Sequence, residues 1–199
     1  CAQRRHDPGC VVTNNYGSYS GAAQSTTAFR SLLLGNTAAN LGIGDGCTLR
    51  DCLVVSNVTT GTDSGIAQNL VAINCTFVGN SSTQSACFSG GASTNCIVWD
   101  NTPTDISGGT HVAALYKTSS VALTNACIQA DNVRFVYDRF PAVSYALRGR
   151  SPAINAGVPV FYAEEQPLDF YGNHRIRDNI DIGCAEYWPQ FDPTVIKVR

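Results

Sequence analysis

The 199-residue sequence has no methionine, few charged residues (14%) and no CxxC pair. Globular domains average about 25% charged residues, so disorder driven by charge is excluded. A net charge of −2 supplies no electrostatic footprint for nucleic acid. No window approaches the ~20 consecutive apolar residues of a membrane-spanning helix, so no membrane span is expected. Without CxxC, the usual zinc and c-type haem spacings are gone, and no cofactor is expected. The GxSxG nucleophile elbow is missing too. The lack of methionine leads to the expectation of a mature product, a processed fragment or a piece of something larger.

Cysteine, by contrast, is plentiful. Nine residues, at 1, 10, 47, 52, 75, 87, 96, 127 and 184, point to an oxidising, extracytoplasmic setting, with an odd count that leaves one thiol unpaired in a monomer. Five of them fall on an internal repeat. The segments starting at Cys10, Ser31, Cys52, Cys75, Cys96 and Cys127 each run from a small residue through three mostly apolar residues. A polar residue or glycine and then an asparagine close them. The intervals between their first residues are 21, 21, 23, 21 and 31. A period near 21 is too short for helical repeats, which need roughly 33 residues or more. The linkers at 15–21 and 85–91 are rich in Gly, Ser and Asn, which disfavour helix. Short apolar runs bounded by turn formers read as strands.

One in-register strand per ~21 residues describes a coil of a right-handed parallel β-helix. The expectation is an all-β solenoid of about six coils over residues 1–135, with an irregular tail over 136–199 packed on it. Equivalent residues then stack ~4.8 Å apart. Asn15, Asn36, Asn57, Asn80, Asn101 and Asn132 form a turn ladder whose amides bond from coil to coil. Cys10, Cys52, Cys75, Cys96 and Cys127, with Ser31 among them, form an inner column of packed thiols rather than disulfides or metal ligands. The long interval assigns 102–111 to a protruding insertion loop.

Two stretches, Asn74 to Asn80 and Asn95 to Thr102, resemble coils of bacterial secreted parallel β-helix proteins of the choice-of-anchor Q and polymorphic outer-membrane type. Downstream, Tyr145-Ala-Leu-Arg-Gly-Arg-Ser-Pro-Ala-Ile-Asn-Ala-Gly157, Asp169-Phe-Tyr-Gly-Asn-His-Arg175 and Asp181-Ile-Gly-Cys-Ala-Glu-Tyr187 are similar, in order, to the terminal module of such proteins. Cys184 stands where that module commonly has a small residue such as alanine. The resemblance implies an extracellular or cell-surface bacterial protein, adhesin-like.

Asp169, Arg175, Asp181 and Glu186 are the charged set of the tail, and the preferred reading is a network that pins the tail to the last coils. Asp169 and Asp181 are also weak candidates for calcium, although their spacing is no recognisable loop. Asp100 and Asp131 precede ladder asparagines and, one coil apart, would put two carboxylates at ~5 Å, a glycosidase distance. Asp is equally at home there as a turn former. Tyr16, Tyr19, Trp99, Tyr116 and Tyr137 are candidates for stacking on sugar. The sequons at Asn57, Asn74 and Asn80 read as by-products of the repeat.

Strand parity adds a constraint. With cysteine inward, Val12, Leu33, Val54, Phe77 and Val98 point inward as well. The outward positions are also apolar, including Val11, Leu32, Leu53, Ile97 and Ile128. Such a face needs a cover. The tail is expected over the later coils, and Val11, Leu32 and Leu53 are left as a subunit interface. The 1–9 segment is a thin cap, held by a Cys1–Cys10 bridge at best, so further polypeptide or like subunits are expected to stack at the N-terminal end. The function expected is a non-enzymatic structural protein, adhesin-like or assembly-forming, with polysaccharide as a further partner. The alternative is a carbohydrate-active enzyme, a lyase or glycoside hydrolase, or a carbohydrate-binding module.

Overall fold

The computed structural model describes residues 9–61, 65–83, 85–136, 145–163, 166–176 and 178–189. Every regular element among them is a short β-strand, and every pairing between these strands is parallel. The longest sheet stacks seven: Val11–Thr13, Leu32–Leu34, Leu53–Val55, Thr76–Val78, Ile97–Trp99, Leu115–Tyr116 and Ile128–Gln129. Their first residues are in register from Val11 to Ile128, as the repeat requires. A second sheet of five strands runs from Thr27–Phe29 to Thr110–Val112, and two smaller sheets close the coils.

Short strands need sharp corners. Every long-sheet strand has a residue in the left-handed region on at least one side. Asn14, Gly35, Ser56, Gly79 and Asp100 follow the strands, while Arg30, Asp51, Asn74, Asn95, Ala113 and Ala126 precede the inner column. Asn, Asp and Gly adopt that conformation at least cost, which explains why they recur there.

Inside, Leu33, Val54, Phe77 and Val98 pack with Cys52, Cys75 and Cys96 against Ile43, Leu49, Ile66, Phe88 and Ile106. Cys52, Cys75, Cys96 and Cys127 are free thiols, as are Cys47, Cys87 and Cys184. The thiols form a ladder of their own: the Cys52 amide donates to Cys75 Sγ and the Cys75 amide to Cys96 Sγ, each at 3.4 Å. Cys10 differs, being disulfide-bonded. The rest of the 1–9 cap, Cys1 included, lies outside the described residues.

The asparagine ladder runs through Asn15, Asn36, Asn57, Asn80 and Asn101. At every step one Oδ1 accepts both the backbone N–H and the Nδ2–H of the preceding coil's asparagine, at 2.9–3.1 Å. Asn132 is not part of it. It is exposed and accepts the Arg134 N–H at 2.7 Å. The place after Asn101 belongs to Asp105, whose Oδ1 accepts the Asn101 N–H and Nδ2–H and whose Oδ2 accepts the Lys117 and Thr118 N–H groups.

That difference corrects the coil assignment. The 31-residue interval holds two coils, of 18 and 13 residues, with the strand Leu115–Tyr116 between Ile97 and Ile128. Segment 102–111 is therefore not a protruding loop. Asp105, Ile106 and His111 are buried, and Thr110–Val112 is a strand of the second sheet. Ala114 holds the column position in this coil, too small and too plain to be recognised by a Cys-to-Asn pattern. Cys127 keeps its place one coil further on.

From Val133 the chain leaves the stack and folds over the outward face. A second apolar core joins Leu53, Val55, Val78, Ile97, Trp99 and Leu115 of the solenoid to Val133, Phe135, Tyr145, Leu147, Ala153, Ile182 and Cys184. Each large side chain so covered contributes about 1.5–3 kcal/mol. Close approach is made possible by Gly183 (φ +106°), where an added Cβ would lie 2.6 Å from Ile97 Cδ1 and 2.9 Å from Thr76 Oγ1. The Gly183 N–H donates to Asn95 O at 2.8 Å and the Cys184 N–H to Thr76 Oγ1 at 3.0 Å.

Asn57→Ala orphans two buried donors of Asn36 and is expected to cost about 2–4 kcal/mol, whereas Asn15→Ala, at the exposed end, costs under about 1 kcal/mol. Denaturant unfolding of the two variants measures the difference. Equal losses would mean that the ladder does not carry stability.

Candidate functional site

The densest collection of chemistry-bearing groups lies on the seam where the tail crosses one corner of the solenoid. The corner residues Asp51, Asn74 and Asn95 each directly precede a column cysteine and stack on one another's coils. All three are buried. Asn95 grips the tail backbone, its Nδ2 donating to Val158 O and its Oδ1 accepting the Val158 N–H, both at 2.8 Å. Asn95 Nδ2 also reaches Asn74 Oδ1 at 3.1 Å, and Asn74 Nδ2 donates to the Tyr162 hydroxyl. Arg50 donates to Phe161 O at 2.8 Å and covers the Tyr162 ring at 5.2 Å.

At the centre is Arg175, with no exposed surface. Its Nε lies 3.3 Å from Glu186 Oε1 and 3.5 Å from Asp51 Oδ1, and its Nη2 donates to the Asp181 and Gly183 carbonyls. The tail network expected from sequence is thus brought together, with Asp51 of the solenoid as the unanticipated partner. Asp169 and Asp181 act beside it as turn builders. Asp169 Oδ1 accepts the Tyr171 and Asn173 N–H groups, and its Oδ2 accepts the Glu186 N–H. Asp181 accepts the Asn155 and Tyr187 N–H groups. With both carboxylates committed to backbone amides, neither offers the open oxygens that calcium requires, and no metal-ligating group occurs among the described residues.

One buried guanidinium faces more carboxyls than it can neutralise. Burial lifts Glu186 to about 8, against the pull of Arg175, and lifts Asp51 to about 6. Burial also raises Asp181 and, in the ladder, Asp105. At neutral pH the pair is therefore Arg175 with an ionised Asp51, and Glu186 stays protonated. Burial pushes the Cys52, Cys75 and Cys87 thiols up as well, which removes nucleophilic thiolate.

The other sequence candidates separate. Asp100 and Asp131 are two coils apart rather than one, with the Leu115–Tyr116 strand between their coils. Asp100 is a left-handed corner residue, 2.7 Å from Lys117 Nζ. The facing carboxylate pair does not form. Trp99 and Tyr116 are buried, while Tyr16 and Tyr19 are exposed. Tyr137 lies outside the described residues. The sequon asparagines Asn57, Asn74 and Asn80 have no exposed surface. Of the apolar interface set, Leu53 is only 4% exposed because the tail reaches the third coil, Leu32 is half-buried and Val11 is 67% exposed. Asp51, Asn74, Asn95 and Tyr162 were not anticipated. The signal for the first three was present, as a polar residue repeated immediately before the column cysteine.

In comparisons with known proteins, no family model matches the chain and no curated protein matches it significantly.

Two expectations follow from the seam. Between the ordinary glutamate value of 4.5 and about 8, the folded chain keeps a proton on Glu186 that the unfolded chain has released. The stabilisation is complete below 4.5 and lost as pH climbs through about 8. Thermal melts across this range should fall in midpoint, and Glu186→Gln should remove its part of the fall, leaving the shallower fall due to Asp51, Asp181 and Asp105. An unchanged profile in that variant would remove Glu186 as the source. Arg175→Met leaves Asp51 buried without its counter-charge and should cost about 3–5 kcal/mol, read as protease sensitivity of the tail before the solenoid.

Proposed function

We propose that the chain is a non-enzymatic structural protein of the bacterial cell exterior, adhesin-like or assembly-forming, that associates through the N-terminal end of its solenoid. The observation that carries this reading is the unequal cover of the apolar surface. The tail seals the outward face from the third coil onward. Around the first two coils Val11 (67%), Tyr16 (79%), Phe29 (48%) and Leu34 (37%) remain exposed. Large apolar side chains left on the flank of the first two coils form a surface that a like subunit would bury. The resemblance of the 145–187 module to secreted β-helix proteins, and the disulfide at Cys10, favour the extracellular setting.

The buried charges support the same reading. Asp51, Asp105, Asp169, Asp181, Glu186 and Arg175 are buried and engaged in holding backbone or one another. These groups serve the fold.

Sedimentation velocity of the full chain at rising concentration tests the proposal. Association is expected, and Val11→Lys with Tyr16→Lys should abolish it at an unchanged melting temperature. A wild-type chain that stays monomeric throughout the micromolar range overturns the reading.

A further inference from the structure

We infer that the tail carries a binding cleft for an acidic saccharide, held by Arg134, Arg150 and Tyr187. The cleft measures about 660 Å³, within the range of ligand sites, and is open to solvent. Gly149, Ser151 and Ile154 also line it, and among the described residues the lining contains two guanidinium groups and no carboxylate.

The arginines are free to act on a ligand. Among the described residues, ion pairs engage Arg175 and Lys117, and Arg50 is spent on Phe161 and Tyr162. Arg134 and Arg150 take part in no ion pair there, and both side chains are exposed. Both also occupy left-handed backbone, at φ +60° and +67°. Elsewhere those corners are filled mostly by Asn, Asp, Ser and Gly. Among the described residues three arginines have this conformation, Arg30, Arg134 and Arg150, and two of them line this one cleft.

Their backbone is fixed rather than loose. Phe135 pairs antiparallel with Leu147, the Arg148 N–H donates to Arg134 O at 2.8 Å, and the Arg134 N–H is held by Asn132 Oδ1 at 2.7 Å. Ser151 Oγ ties the second arm to Val133 O. The Tyr187 hydroxyl lies against Gly149, where an added Cβ would come within 3.0 Å of it. Two forked cations select oxyanions. The Tyr187 ring and Ile154 add an apolar surface that a sugar ring fills and a bare inorganic anion does not. Carboxylated and sulfated saccharides share this chemistry. The cleft is at the tail end of the molecule, so the inference does not rest on association through the first coil.

The test is titration of the full chain, followed by NMR, with hexagalacturonate, a heparin hexasaccharide, maltohexaose and sodium phosphate. One of the two acidic oligosaccharides should bind saturably and shift the Arg134 and Arg150 side-chain signals. Tighter hexagalacturonate identifies carboxylate, and tighter heparin identifies sulfate. Maltohexaose should not bind. Arg134→Gln with Arg150→Gln should weaken binding at least about tenfold, whereas Arg30→Gln, the same charge lost from the same backbone conformation outside the cleft, should leave it unchanged. Binding of neither acidic oligosaccharide, equal weakening by Arg30→Gln, or phosphate shifts as large as those of the saccharide overturns the inference. If the double variant fails to fold, the wild-type shift map decides: shifts confined to other surfaces overturn it.

Discussion

The fold depends on one repeated hydrogen bond, the asparagine amide passed from coil to coil. A tight corner inside a parallel stack buries backbone N–H groups that no strand partner can reach. Here each is satisfied by the Oδ1 of the next coil's asparagine, which also takes that residue's own Nδ2–H. The second Nδ2 proton is used on a carbonyl of the preceding coil, as when Asn57 reaches Leu33 O at 3.0 Å. Nothing smaller or less polar can do both, so the ladder fixes the register of the strands that lead into it.

With register fixed, the outward strand face becomes the next constraint. It is apolar over most of the stack, and a solenoid has no second layer of its own with which to cover it. The tail supplies that layer, but its irregular backbone brings polar groups that must be satisfied under cover. Asp169, Asp181 and Arg175 answer this need by bonding amides and carbonyls of the tail itself. Arg175 then requires a counter-charge, and the solenoid provides Asp51 at the corner immediately beneath. The seam is therefore a consequence of the apolar face.

Most of the solenoid was legible from sequence because a stack repeats its physical environment at a fixed interval. The same small residue, apolar run and asparagine return wherever the environment returns. Legibility failed where the environment was met by a different residue. Asp105 replaces the ladder asparagine at the terminus, because a group that receives from Asn101 on one side must also receive from the Lys117 and Thr118 amides on the other, and a carboxylate accepts on both oxygens. Ala114 replaces the column thiol in a coil too short to show its period. The charged set of the tail could be collected from composition, since charge is scarce in this chain. Its solenoid partner could not, because only the folded path brings Asp51 under Arg175. The cleft at Arg134 and Arg150 was illegible for the same reason: the two residues meet only once the chain has doubled back on itself.

The direction of the ladder makes the two ends of the solenoid chemically unlike. Every rung donates towards the C-terminal side, and Asp105 ends the series with both oxygens occupied and no amide to pass on. At the other end Asn15 spends its N–H groups on Asn36, and among the described residues nothing donates to its Oδ1. Copies placed tail to head cannot extend the series, because the carboxylate has no proton donor to offer the next asparagine. A buried aspartate thus closes the amide series at one end while Asn15 leaves it open at the other, although one more strand, Ile128–Gln129, stacks beyond the place where the series stops.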